Sequence, residues 1–182
     1  ISVVPEWFNQ EILDSNNNAL NELDFKTDNN FLIVGQLNSA TPQDDRKNIF
    51  NTIKWLSETL EQEDKNIGIV IKTNMGKGTE IDREKTINIL NQMKNAINVK
   101  RFPKIYLLHG NMTKREIAAL YKHPKISCLV SATRGEGYGL PLIEAAASGL
   151  PVIATNWSGH LDFLEQSFIP VDFKLTPIKK TR

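Results

Sequence analysis

A chain of 182 residues, 40% apolar and 24% charged, is long and apolar enough to bury a core as one domain, or one domain with appendages. Its formal net charge of +1 supplies no overall field of the kind that marks nucleic-acid or membrane binders, and no apolar run reaches the ~18 residues of a membrane span. The one cysteine, Cys128, excludes an internal disulfide and suits a reducing, cytoplasmic setting; inside ISCLV it reads as a core thiol.

The chain opens on ISVV without an initiator methionine and is expected to be a piece of a longer protein, or a processed product. ISVV begins as a short strand that Pro5 stops. The Asn-rich DSNNNALNELDFKTDNN reads as a polar surface connection with room for one helical turn. Residues 1–30 are thus expected to be an entry strand and connection from a further, N-terminal domain. Residues 31–182 are expected to form the domain proper, lacking its final helix.

FLIVG (31–35) is a continuous apolar run ending in glycine, as a strand buried on both faces requires. A helix from about Asp44 to Gln62 follows, with Ile49, Ile53, Leu56 and Leu60 on one face and Arg46 and Lys47 at its opening. IGIVIKT (67–73) is a second strand. The next helix is expected from about Asp82, its N-cap, with Ile87, Leu90, Met93 and Ile97 as its stripe. KIYLLHG (104–110) is a third strand, and Thr113 with Glu116 makes a capping box for a helix to about Tyr121. ISCLV (126–130) is a fourth strand. A helix then runs from about Leu140 to Ser148, with Gly149 as its C′ glycine. PVIAT (151–155) is a fifth strand. Ser158 is placed to cap a short helix, GHLDFLE, before a sixth strand within SFIPVD.

Solid apolar strands alternating with helices predict an α/β, Rossmann-like fold: a parallel sheet with helices on both faces. Right-handed crossovers gather the loops after the strands on one edge, where ligands bind in such sheets. That edge holds Gly35-Gln36, Thr73-Asn74, His109-Gly110-Asn111, Ser131 to Tyr138 and Thr155 to Ser158. His123 is expected at the surface, His160 in support of its short helix, and Trp157 either at the surface or lining the cleft.

RGEGYGLPLIEAAASGLPVIA (134–154) carries the chemistry. Glycines 135, 137 and 139 free the backbone to approach an anion, and a helix starts at once near Leu140 and Pro141. A glycine loop feeding a helix N-terminus is an anion site by geometry and dipole, suited to a phosphate or diphosphate. Glu136 and Glu144 cannot both serve that anion. Each carboxylate suits the hydroxyls of a ribose or a sugar.

The run E-G-Y-G-L-P-L-I-E-A-A-A-S-G-L-P-V-I resembles the E-x7-E signature of retaining, nucleotide-sugar-dependent glycosyltransferases of GT-B family 4, also called group 1. VVPEWF resembles that family's lead-in to its C-terminal domain, FLIVGQL with RKN its first strand and basic segment, and NWSGHLDFL the turn and helix after the signature. The resemblance implies one half of a two-domain GT-B fold, the donor-binding C-terminal half. It implies catalytic roles for Glu136, on the donor sugar's hydroxyls, and Lys47, on the diphosphate. It further implies contacts from the backbone of Gly137, Tyr138, Gly139 and Leu140 to sugar and diphosphate, and from Glu144 to the ribose. The turn His109-Gly110-Asn111-Met112 would flank the base, next to the first-strand end at Gly35. Where the family commonly has arginine after that glycine, this chain has Gln36, for which Arg46 or Arg134 is expected to compensate.

The expected partners are a nucleotide-sugar donor and a carbohydrate, lipid or protein acceptor held by the N-terminal domain. No nucleic acid, cofactor or essential metal is expected, and any membrane association belongs to the parent protein and is peripheral. Alternatives are a non-catalytic nucleotide- or sugar-binding module, or another GT-B enzyme such as a nucleotide-sugar epimerase or a sugar phosphorylase. A receiver-type regulatory domain would want an acidic cluster at the first strand end, which GQLNS does not offer.

Overall fold

Among the described residues, each apolar run read as a strand becomes one, and the segments between carry the chain back over one face or the other. The computed structural model describes residues 8–14, 16–37, 42–63 and 66–177; the expected strand at ISVV and the last five residues lie outside them. After a 3-10 turn at Gln10–Leu13 come β1 (Asn29–Val34), α1 (Ile49–Leu60), β2 (Ile67–Thr73), α2 (Glu80–Ala96), β3 (Lys104–His109), α3 (Lys114–Tyr121), β4 (Ile126–Ser131), α4 (Leu140–Ala147), β5 (Val152–Thr155), α5 (Leu161–Leu164) and β6 (Ile169–Val171). The strands form one parallel sheet in the order β3-β2-β1-β4-β5-β6.

Neighbouring strand residues alternate between two cores. Ile33, Ile69 and Ile71 meet Ile49, Ile53 and Met93 of α1 and α2 on one face. Leu32, Val70, Leu129 and Val152 meet Leu120, Leu142, Ala145 and Leu164 of α3, α4 and α5 on the other. Both faces are covered where the runs are most continuously apolar, as in a doubly wound fold. Cys128 is buried, and burial raises its thiol to about 11, so it is an inert core group.

From β1 the chain winds outward to β3, then crosses back to β4 and winds outward the other way to β6. The strand order reverses between β1 and β4. At that reversal the loops leaving the carboxyl ends diverge and open a crevice. The β1–α1 and β4–α4 loops flank it.

Three helix starts differ from the sequence reading. The first helix begins at Ile49, not near Asp44, because Asn48 sits in the left-handed region at φ 56°. The buried Asp45 carboxylate accepts from the amides of Lys47 (3.0 Å) and Ile49 (2.5 Å), so a side chain takes the place of a helical turn. Arg46 and Lys47 therefore lie in a tight turn and not on a helix face. The second helix begins at Glu80. Thr79 is its N-cap and accepts from Asp82, which turns inward. At the third, α5, the N-cap is His160 and no side chain caps the helix, so Ser158 does not perform that task. The capping box of Thr113 and Glu116 forms as read.

Candidate functional site

The two loops at the reversal meet through charge. Lys47 Nζ lies 2.6 Å from Glu136 Oε1, and Arg46 Nη1 lies 3.3 Å from Glu136 Oε2. Arg46 also donates to the Gly135 carbonyl at 2.6 Å. The Lys47 and Glu136 side chains are 13% and 7% exposed, whereas Arg46 is 52% exposed, so the inner pair is shielded and the outer cation faces water. The bare Cα of Gly35 makes room for the Lys47 stem, whose Cγ would stand 3.2 Å from a Cβ there. Arg134 instead donates to the Gln43 carbonyl, and Gln36 is exposed. The structure thus brings Arg46, and not Arg134, to the acid.

The loop carrying Glu136 is gripped on both sides. From the β1–α1 side, the Arg46 carbonyl accepts from the Arg134 amide (3.0 Å) and from Thr133 Oγ1 (3.1 Å), while Asn48 Nδ2 donates to the Ala132 carbonyl (2.9 Å). From the β5–α5 side, Thr155 Oγ1 donates to the Thr133 carbonyl at 2.8 Å. The Ser158 hydroxyl accepts from the Glu136 amide at 3.0 Å and donates to the Glu136 carbonyl at 2.6 Å. A Cβ on Gly159 would fall 2.1 Å from the Gly137 carbonyl oxygen, so only glycine allows this approach. Beneath, fully buried His160 bonds through Nε2 to the Thr155 carbonyl at 2.7 Å, and its Nδ1 has no partner. His160 is a core histidine of this turn.

α4 starts directly after the loop. Its N-cap, Gly139, is left-handed at φ 97°, and no side chain caps the helix. Pro141 has no N–H and the Leu142 amide already donates to the Gly139 carbonyl at 2.8 Å, so this end offers an anion the Leu140 amide and the helix dipole. Gly137 is exposed, Tyr138 is half-buried with its ring 5.1 Å from that of Phe163, and Leu140 is half-buried at the first helical position.

Glu144 lies further along α4 in another setting. The buried Tyr121 hydroxyl lies 3.4 Å from its Oε2. Burial raises the Glu144 carboxyl above the usual glutamate range, against hydrogen bonds from the Asn9 backbone and Tyr121 and the field of Lys114. Burial, reinforced by Glu144, pushes Tyr121 well above the usual tyrosine range. Asn9, which also donates through Nδ2 to the Lys114 carbonyl, brings the segment before β1 to this niche.

At β3, the His109 ring is engaged by the first turn of α2. Its Nε2 lies 2.8 Å from Asp82 Oδ2, with both side chains nearly buried. Burial works to raise Asp82, but hydrogen bonds from the Met75 amide and His109 prevail and leave it below the usual aspartate range. Gly110, at φ 93°, offers its carbonyl to Lys72 Nζ at 2.6 Å, and Asn111 is exposed opposite Asn74. Met112 is half-buried against the α3 core. Within Gly110-Asn111-Met112, Asn111 is the exposed residue. Trp157 is 43% exposed, its ring 5.2 Å from that of Phe173. His123, expected at the surface, is half-buried, with Nε2 2.9 Å from the Leu23 carbonyl.

Sequence reasoning passed over Ser158 and Tyr121 as partners of the two glutamates, and Asp82 as the partner of His109. Each contact joins distant segments, and no local pattern announces it. The one available signal was that Ser158 lies on the ligand edge. A cavity of about 400 Å³ lies apart from this edge, between α1, α2 and β3, lined by residues such as Ile53, Ile87, Leu90, Lys94, Phe102 and Ile105. Among the described residues no group of three or more His, Cys, Asp or Glu side chains gathers to hold a metal, and no helix is long and apolar enough to cross a membrane.

The fold has known counterparts. The C-terminal domain of the group 1 glycosyl transferase LpcC from Francisella tularensis matches at a TM-score of 0.58 and 19% identity, over 92% of this chain and 76% of that one. The trehalose-6-phosphate protein from E. coli bound with UDP-2-fluoro glucose matches at 0.55 and 15% identity, over 79% of this chain and 33% of that one. A trehalose-6-phosphate synthase studied for glycosyl transfer with retention matches at 0.54 and 15% identity, over 79% and 34%. The chain thus spans about a third of these last two proteins, and its sheet corresponds to the C-terminal half of the GT-B fold. No curated protein matches it by sequence. The sequence model of the family described as "Glycosyl transferases group 1" matches residues 16–169, well over half of the chain, and the chain therefore belongs to the group 1 glycosyl transferases.

Proposed function

We propose that this chain is the donor-binding half of a retaining glycosyltransferase and binds a nucleoside diphosphate sugar in the crevice between the β1–α1 and β4–α4 loops. The observation that carries the reading is the meeting of Lys47, Arg46 and Glu136 beside the uncapped, glycine-led start of α4. A diphosphate arriving at that helix start would compete with Glu136 for Lys47 and Arg46. The two cations, the Leu140 amide and the α4 dipole would then stabilise the charge that grows on the departing diphosphate, where preorganised donors lower a barrier most. Released from its cations, Glu136 would accept hydroxyls of the donor sugar and support positive charge developing on it. Glu144, at the other end of the site, would accept the ribose hydroxyls in place of Tyr121. The backbone of Gly110 and Asn111 would border the base. The acceptor, a carbohydrate, lipid or protein, would be held by a second domain, and the chemistry needs neither a protein nucleophile nor a bound metal.

Calorimetric titration with UDP, GDP, ADP and their sugar conjugates tests this. Selective binding of one base, weakened at least tenfold in Glu144→Ala, is the expected result. The parent enzyme should then release product with the donor's anomeric configuration, read by proton NMR. Binding of no nucleotide, or an inverted product, would refute the donor reading or the retaining one respectively.

A further inference from the structure

We infer that Ser158 is the positioning residue of Glu136, holding the acid in place after donor binding has drawn its cations away. This rests on the donor-site reading above and adds a residue to it. Three observations carry it.

First, one hydroxyl is engaged with both backbone groups of one residue. Ser158 Oγ accepts from the Glu136 amide at 3.0 Å and donates to the Glu136 carbonyl at 2.6 Å. Fixing both groups sets the orientation of the two peptide planes around Glu136, and with it the direction in which its side chain leaves the loop.

Second, Ser158 holds φ 99°, a region that glycine occupies freely and a side-chain-bearing residue does not. Glycine would relieve the strain and lose the hydroxyl. A strained serine is thus accounted for by what its hydroxyl does, and α5 makes no use of that hydroxyl, since no side chain caps it.

Third, the neighbouring residues lock the turn. Gly159 lies against the Gly137 carbonyl, and buried His160 ties the turn to the Thr155 carbonyl. The hydroxyl therefore has little freedom to be elsewhere.

Without donor, Lys47 and Arg46 also hold the Glu136 carboxylate. With a diphosphate on those cations, Ser158 is the remaining hold on the residue among the contacts described. Its removal should therefore loosen the Glu136 backbone locally while leaving binding of the bare nucleotide as before. It should appear in the extra affinity that the sugar contributes.

The test uses the full chain and Ser158→Gly, which suits the positive φ and removes the hydroxymethyl group. The probes are UDP with UDP-glucose, GDP with GDP-mannose, and ADP with ADP-glucose. For whichever pair the wild type binds, the variant should bind the nucleoside diphosphate as before, while the gain from the sugar falls about fivefold or more, the worth of a hydrogen bond or two. Amide hydrogen exchange without ligand supplies an independent readout: the Glu136 amide should lose protection while Leu142 of α4 keeps its own. An unchanged sugar gain in Ser158→Gly overturns the proposal, whether or not the amide loses protection. Equal weakening of nucleotide and nucleotide sugar overturns it too, by making the residue a support of the whole loop. Failure of the wild type to bind any pair removes the donor reading and this proposal with it. That failure is seen in the wild type alone and is not confused with the others.

Discussion

Glu136 and Glu144 are the same residue type on one sheet edge, yet the structure treats them oppositely. Glu136 sits on a loop between two cations, Lys47 and Arg46, and is 7% exposed. Glu144 sits on a helix with a phenol and a backbone amide as donors, and burial raises its carboxyl, so its surroundings resist its charge. The first acid is balanced by groups that a diphosphate can take from it. The second is held by neutral donors that a ribose can replace without moving a charge. On the proposed reading, the first suits electrostatic exchange with a diphosphate and the second recognition of ribose hydroxyls.

The largest expected effect comes from prying the first region apart. Gly159→Ala would drive a Cβ into the Gly137 carbonyl and should cost about 3 kcal/mol in urea unfolding, at the high end for overpacking. It should leave the Tyr121–Glu144 contact unaffected. Glu136→Gln should cost about 2 kcal/mol, less than for a fully buried pair because Arg46 is half exposed and water remains near Lys47. If Glu136→Gln proved neutral in the same unfolding experiment, the two acids would not differ as described.

On the other side, Tyr121→Phe removes a donor from a half-buried carboxylate and should cost about 1 kcal/mol. It should also raise the Glu144 carboxyl further, since the phenol's hydrogen bond lowers it. The smallest and most diagnostic effect is that of Glu144→Gln on the pH profile. Because the folded carboxyl is raised, the folded chain keeps a proton that the unfolded chain has released. Stability therefore falls as pH rises from the ordinary glutamate range through the raised value, and is flat above it. Glu144→Gln should abolish that fall and be neutral or slightly stabilising at pH ~7, opposite in sign to Glu136→Gln. Asp82, held low, contributes with the reverse sign: its share is present above the ordinary aspartate range and is lost as pH drops through its lowered value. Melting temperatures between about pH 3 and about pH 8 would separate the two.

The sheet was legible in the sequence because strands buried on both faces must be solidly apolar. FLIVG, IGIVIKT and ISCLV reported themselves without help from their neighbours. The edge was legible for a related reason: parallel crossovers place the residues after each strand together, so Gln36, Glu136 and Ser158 could be assigned to one side before any contact was seen. What was not legible depends on side chains acting on backbone. The start of α1 was read too early because 3.6-residue periodicity cannot see Asp45 satisfying two amides, or Asn48 turning left-handed. That difference matters, since it moves Arg46 and Lys47 from a helix face to the turn that reaches Glu136. Ser158 was read as a cap because serine before a helix usually is one; its hydroxyl instead crosses to another loop. The pairing of Glu144 with Tyr121 and of His109 with Asp82 joins distant positions, and propensity carries no information about such contacts.

The most direct measurement is a paired titration of the wild type and Glu136→Gln with the nucleoside diphosphate that the chain selects and with its sugar conjugate. If Glu136 holds the cations that a diphosphate needs, removing its charge should tighten binding of the bare nucleotide by about threefold to tenfold, the worth of a partly exposed ion pair, and erase the additional affinity from the sugar. Weaker binding of the bare nucleotide, or a sugar gain that survives intact, would contradict the exchange of Lys47 and Arg46 between acid and diphosphate.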